Sequence, residues 1–427
     1  MKSAPATPQS PMRTSSEWSV RCWIAGCLTG LALASSPLAR AQETIGGAGG
    51  DEGVRLIQTD LATLELQEPR KDLPCTVTPG KATLGFDLRL HAGYEVSFPL
   101  KELAGAENWL TIIFRVAPEG KKEQATFFYQ RFRVPPIEED AKGDTYLEGG
   151  FDLGEGKYHV DWLMRDQAER VCSFYWDVDS ALSDRDKEVS LELPPGKVVA
   201  SDVESFREDA PVERAQGEPS LRVKVLVNFA PPNSNSAVLQ PLDRNALLSI
   251  LRSITRDPRV GQFSIVAFNL QEQRVIYRQD DASRIDYGAL GQALDSLNLG
   301  TVDVKRLGQK HGEAQFLADL LQRETSEGSS QDALVFAGPK VMLDGNVPGE
   351  DLKKVGPVSY PLFYMNYNLH PEVVPWRDAI GNIVRFFRGT EYTITRPRDM
   401  WFAVGEMISR IVHSKNERPA GGGGADR

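Results

Sequence analysis

The sequence predicts two domains: an all-β sandwich, then an α/β domain with a mostly parallel sheet and one antiparallel hairpin strand. Three observations predict this. Residues 75–180 hold seven short runs in which apolar and polar residues alternate, with turn signals between them and no helical stripe. From residue 221 strands alternate with apolar stripes of helical period, the pattern of a sheet covered by helices. Residues 181–220 between them are rich in charge and proline, as a linker is. A length of 427 residues fits two domains of ordinary size.

The N-terminus has the layout of a secretory signal. Arg13 and Arg21 precede the apolar run CWIAGCLTGLALA (22–34), and Ala39-Arg40-Ala41 offers a small-x-small cleavage site before Gln42. The run is too short to span a bilayer, and no later segment is apolar enough to do so. Cleavage after Ala41 predicts a secreted or periplasmic protein. An alternative is a lipoprotein anchored at Cys27, since Ile24-Ala25-Gly26-Cys27 resembles a lipobox, although Arg21 interrupts the apolar run that should precede it. Residues 42–74 then form a segment that is partly flexible, with glycines to about Gly53.

Charge narrows the partners. The formal net charge is −10, and residues 1–41 carry Lys2, Arg13, Arg21 and Arg40 against Glu17, so the cleaved chain stands at −13. That balance argues against nucleic acid and anionic membrane surfaces, which need basic patches.

The strands expected in the first domain are 82–90, 94–100, 109–117, 125–134, 146–153, 158–166 and 170–178. GKYHVDWLMRD (156–166) resembles the G-x-Y-x-V strand of immunoglobulin-like sandwiches, so the expected class is an immunoglobulin-like sandwich. After cleavage two cysteines remain, Cys75 and Cys172. In an oxidising compartment they are a disulfide candidate; the alternative is two buried thiols.

The second domain, 221–414, opens with a strand at 222–229 and a helix at about 243–255. FSIVAFNL (263–270) and QRVIYRQ (273–279) are too close for anything but an antiparallel hairpin. Helices follow at 286–297 and 312–323, then strands at 333–337 and 361–367, a helix at 375–387, a strand at 391–395 and a helix at 398–412. Residues 415–427 include the run GGGG (421–424) and are expected to be a disordered tail.

This order of elements, with its hairpin in second and third place, resembles a von Willebrand factor A domain over about residues 218–414. The secreted layout is similar to the VWFA-related secreted proteins common in acidobacteria. The resemblance implies a Rossmann-like (vWA-like) sheet and a metal-ion-dependent adhesion site (MIDAS): Asp-x-Ser-x-Ser after the first strand, a threonine in a later loop, and an aspartate after the fourth strand. Mg²⁺ needs such hard oxygen ligands. Here the matching positions are Asn228, Ala230, Pro232, Lys310 and Ala337, which have lost the ligands. Asn228, Ser234 and Ser236 remain as a candidate binding loop, a poor metal site with two hydroxyls and one amide.

Nothing else in the sequence points to chemistry. The five histidines, at 91, 159, 311, 370 and 413, lack metal-ligand spacing, and no nucleophile elbow, phosphate loop or dinucleotide fingerprint is present. Arg385, Arg388, Arg396 and Arg398 concentrate near one helix end, where basic residues offset the helix dipole. The expectation is a non-enzymatic, cofactor-free protein with a degenerate, metal-independent vWA-like domain that binds or scaffolds a protein partner. Alternatives are a structural self-assembling envelope subunit and, less favoured, a metal-dependent adhesin.

Overall fold

The computed structural model of the chain describes residues 43–44, 57–201, 206–214, 220–232, 239–295, 312–326, 331–340, 346–372 and 375–417. The expected signal segment, Cys27, Ser234, Ser236, Lys310 and His311 lie outside the described residues.

Two antiparallel sheets make up the first half. One runs in the order β1 (Glu43–Thr44), β6 (Thr126–Val134), β5 (Asn108–Pro118), β8 (Gly156–Arg165) and β9 (Val171–Ser180). The other runs β10 (Val198–Ala200), β7 (Asp144–Leu153), β4 (Leu90–Pro99) and β2 (Thr76–Pro79), with β3 (Thr83–Leu84) also pairing β4. Period-two alternation sends Ala92, Tyr94, Val96 and Phe98 of β4 inward, against Ile112, Phe114 and Val116 of β5 and Val160 and Trp162 of β8. Trp162 is fully buried, and Tyr94 meets it edge-on with ring centroids 5.4 Å apart. The Tyr158 hydroxyl donates to the Gly154 carbonyl at 2.8 Å, which ties the start of β8 to the turn before it.

Segments on either side of the sandwich strands cover what these sheets leave open. Helix α1 (Gln58–Leu66), in the stretch expected to be partly flexible, lays Leu64 over Ile113, Tyr129, Leu163 and Val171 on the outer face of the first sheet. Asp60 meets Arg165 at 3.1 Å, and Arg115 donates to Asp161 at 2.5 Å and to the Leu64 carbonyl at 3.2 Å. Residues 70–73 then run along β9: Ser173 N–H donates to Arg70, and Leu73 N–H to Val171. A disulfide joins Cys75 to Cys172, with Cα atoms 6.2 Å apart.

The second half holds a six-stranded mixed sheet in the order β13 (Arg274–Ala282), β12 (Val260–Asn269), β11 (Leu221–Asn228), β14 (Ala333–Pro339), β15 (Leu362–Tyr367) and β16 (Thr390–Ile394). All neighbours are parallel except β12 and β13. One face packs against α2 (Pro241–Thr255) and α7 (Pro397–Glu417), the other against α4 (Gly312–Ser326) and α6 (Ala379–Phe386). Helices α3 (Tyr287–Asp295) and α5 (Gly349–Lys354) complete the set among the described residues.

The expected fold class, an immunoglobulin-like sandwich joined to an α/β Rossmann-like (vWA-like) domain, is corrected. The described chain is mostly β-sheet, two antiparallel sheets and one mixed sheet, with sixteen strands against seven α-helices. The β12–β13 hairpin breaks the strand–helix alternation, and among the described residues a six-residue helix is all that lies between β14 and β15. The five helices expected in 221–414 are all present, but they do not set the class of the whole chain, in which strands outnumber them. Smaller corrections have local causes. The run expected as a strand at 82–90 is split into β3 and, at Leu90, the start of β4, because residues 85–89 turn sharply: Gly85 and Arg89 bond through their backbones, and Leu88 takes φ 60°. Within the stretch expected as linker a short strand, β10, forms at Val198–Ala200.

That 85–89 turn joins the two halves. Leu88 is buried in the core of the mixed sheet, and Phe86 meets Tyr367 edge-on at 5.7 Å between centroids. The stretch expected as linker supports the contact. Val189 packs into the same core, Glu192 N–H donates to the Leu88 carbonyl at 3.0 Å, and Glu192 and Glu188 pair with Arg256 and Arg398.

Two outcomes follow. Replacing both cysteines, Cys75→Ser with Cys172→Ser, removes a crosslink spanning 97 residues and lowers stability by about 2–5 kcal/mol in urea unfolding. Leu88→Ala costs about 2 kcal/mol, the low end for leucine truncation because the site lies at the rim of its core.

Candidate functional site

The carboxyl ends of β11 and β14 bring part of the expected site together. Val227 is level with Ala337 in the parallel register, so Asn228 and Gly338 come next in line on adjacent strands. Asn228, Ala230 and Ala337 are all fully buried, while Pro232 is exposed. A Cβ on Gly338 would lie 2.9 Å from that of Asn228, so glycine allows the close approach of the two strand ends.

The Asn228 side chain is committed to the backbone. Its Oδ1 accepts from Ala230 N–H at 3.1 Å and from Leu270 N–H at 3.2 Å. The second bond pins the loop after β12 to the loop after β11. The amide oxygen that would face a cation is thus held by two internal donors, and Nδ2 has no partner among the described residues. Ala230 and Ala337 offer no ligand. These groups build a closed loop anchor.

A second constellation, which the sequence reading treated as an isolated histidine, lies on the outer face of the other sheet. His91 on β4 stands beside Asp152 on β7, its partner in register. Nδ1 of His91 is 2.8 Å from Asp152 Oδ1, and Nε2 is 2.8 Å from Asp87 Oδ1 in the turn that joins the two halves. Asp152 is fully buried. Its Oδ1 also accepts from the Ser201 hydroxyl at 2.6 Å, and its Oδ2 from Arg89 at 3.3 Å. His91 and Asp87 keep 38% and 34% of their side-chain surface in solvent.

An imidazole set between two carboxylates is held as the cation. Burial pushes His91 down, but the hydrogen bonds and charges of Asp152 and Asp87 outweigh it and lift its pKa to about 10. Burial raises the Asp87 carboxyl, yet His91 outweighs that and holds it below its usual range. Serine, histidine and aspartate here do not form a nucleophile relay. Ser201 donates to Asp152, and both nitrogens of His91 face carboxylates.

This cluster left one legible sign. Asp87 and His91 are four residues apart, but the run reads as a strand, in which such residues point along one face without turning together. Asp152, 61 residues beyond His91, carries no local signal. Of the four arginines near the last helix, Arg398 pairs with Glu188 at 3.4 Å and lies over the Phe402 ring, and Arg396 pairs with Asp399. No helix among the described residues is long and apolar enough to cross a membrane.

No protein-family model matches the chain. No curated protein matches it either. Among solved structures, it is similar to the PilB minor pilin from Streptococcus sanguinis, at 9% identity over 73% of this chain and 89% of that one, with a TM-score of 0.29. It is also similar to a glycosyl hydrolase family 2 member from Bacteroides cellulosilyticus, at 12% identity over 73% of this chain and 37% of that one, with a TM-score of 0.18. Likenesses of this size carry no argument about function, and neither indicates a von Willebrand factor A domain.

Two measurements check these sites. Asn228→Ala leaves two buried N–H groups unpaired and costs about 2–4 kcal/mol in chemical unfolding. For His91 the folded pKa lies above the unfolded one. Its contribution is therefore full below about pH 6.5 and is lost as pH rises through about 10. The melting temperature of the native protein, less that of His91→Gln, should fall steadily across that window.

Proposed function

We propose that this is a secreted, non-catalytic protein that binds or scaffolds a protein partner without using a metal at the 228–236 loop. One observation carries the reading: the only side-chain oxygen at Asn228 is bonded to two backbone donors, Ala230 N–H and Leu270 N–H. A Mg²⁺ ion there would have to break both bonds and would gain a neutral amide in place of the carboxylates it prefers. The neighbouring positions Ala230 and Ala337 add apolar groups. The non-catalytic part of the reading is supported by the Ser201–Asp152–His91 order, in which the hydroxyl donates to the buried carboxylate and does not meet the imidazole. Secretion is supported by the N-terminal apolar run and by the Cys75–Cys172 bridge, which an oxidising compartment maintains.

Pull-down from the native cell envelope tests the proposal, with one arm in Mg²⁺ and one in EDTA. The expected result is one specific partner held equally in both arms. A partner lost in EDTA and regained on adding Mg²⁺ overturns the metal-free reading. Recovery of the bait's own chain alone overturns the partner and favours a self-assembling subunit.

A further inference from the structure

We propose that Asp87 and His91 form a solvent-accessible site for a divalent transition metal of the zinc class, with Asp152 as the residue that orients the imidazole. The ligand atoms of these three residues all lie within 4.8 Å of one another. One ion cannot take both nitrogens of a ring, so the geometry has to choose between them.

The hydrogen bonds make that choice. Asp152 is fully buried, and both its oxygens are already engaged, Oδ1 by Ser201 and His91 and Oδ2 by Arg89. It therefore acts on Nδ1, holding the ring's plane and fixing Nδ1 as the protonated nitrogen. A carboxylate on the far nitrogen is the usual support of a metal-bound histidine. Nε2 is left facing Asp87 Oδ1 at 2.8 Å, on the side of the cluster open to solvent. Two ligands of a tetrahedral zinc ion stand about 3.3 Å apart, so this pair need open by only about 0.5 Å to admit the ion in place of the shared proton. Imidazole with carboxylate suits zinc and its first-row neighbours better than Mg²⁺ or Ca²⁺.

Gly85 supplies the room. A Cβ at that position would lie 2.3 Å from His91 Nε2 and 2.6 Å from Asp87 Oδ1, against the edge where the metal would bind. The remaining coordination positions are left for water or a donor from another molecule. Because Asp87 lies between Phe86 and Leu88, a bound ion would also fasten the turn that joins the two halves.

Titration calorimetry of the full chain, purified without a polyhistidine tag, tests this with ZnCl₂ as the probe. Visible absorption on Co²⁺ loading reports on the ligand field. The expected result is one zinc per chain, with affinity falling at least about tenfold in Asp87→Asn and in His91→Gln, and about 10–100-fold in Asp152→Asn. Thermal unfolding of each variant shows that it is folded. Should His91→Gln fail to fold, Asp87→Asn on the half-exposed turn decides the matter. His159→Gln, a histidine paired with Asp177 elsewhere in the sandwich, should bind zinc as the native chain does. No zinc uptake at 0.1 mM, or uptake unchanged by Asp87→Asn, overturns the site. Unchanged affinity in Asp152→Asn overturns its orienting role.

Discussion

The turn at residues 85–89 is the constraint on which the arrangement of the two halves depends. It belongs to the sandwich by sequence and to the mixed sheet by packing, because Leu88 is buried among that sheet's core residues. A leucine at φ 60° carries backbone strain, so neighbouring contacts have to over-determine the turn. They come from both sides. Asp87 is tied to the sandwich through His91 and Asp152, and Phe86 to the mixed sheet through Tyr367. Residues 188–192 close over the turn with two ion pairs and a backbone bond.

The two clusters of polar groups behave in opposite ways. At Asn228 every useful oxygen is turned inward to hold loops, and nothing is offered to a ligand. At His91 the buried part, Asp152, is saturated by donors while the outer edge stays in solvent. The strand-end position where sequence logic expects chemistry is a structural anchor. The face where it expects none holds the one His/Asp cluster able to hold a metal among the described residues.

How much could be read in the sequence follows from the range of each interaction. The strands at 109–117, 125–134, 146–153 and 158–166 were legible because inward and outward residues alternate within each run, and they appear as β5 to β8. The order of elements from β11 to β16 was likewise legible, yet the fold class drawn from it was not, since counting helical stripes does not measure how much of the chain is strand. The turn at 85–89 was hidden because Phe86, Leu88 and Leu90 keep a strand's alternation while Leu88 leaves the strand conformation. That Asn228, Ala230 and Ala337 carry no carboxylate could be read from residue types alone. What Asn228 does instead depends on Leu270, 42 residues away. The Asp152–His91 pair likewise exists only once β4 and β7 are in register.

Helix α1 has a consequence of its own. It covers Ile113 and Leu163, which point away from the sandwich core, and it is held by a few bonds: Asp60 to Arg165, Arg115 to the Leu64 carbonyl, and Tyr175 to the Thr63 carbonyl. The disulfide at Cys75 lies beyond it, so a protease cutting between residues 66 and 75 would free the helix and leave the sheets crosslinked. Loss of the helix would uncover Ile113 and Leu163, an apolar strip that the intact chain keeps buried.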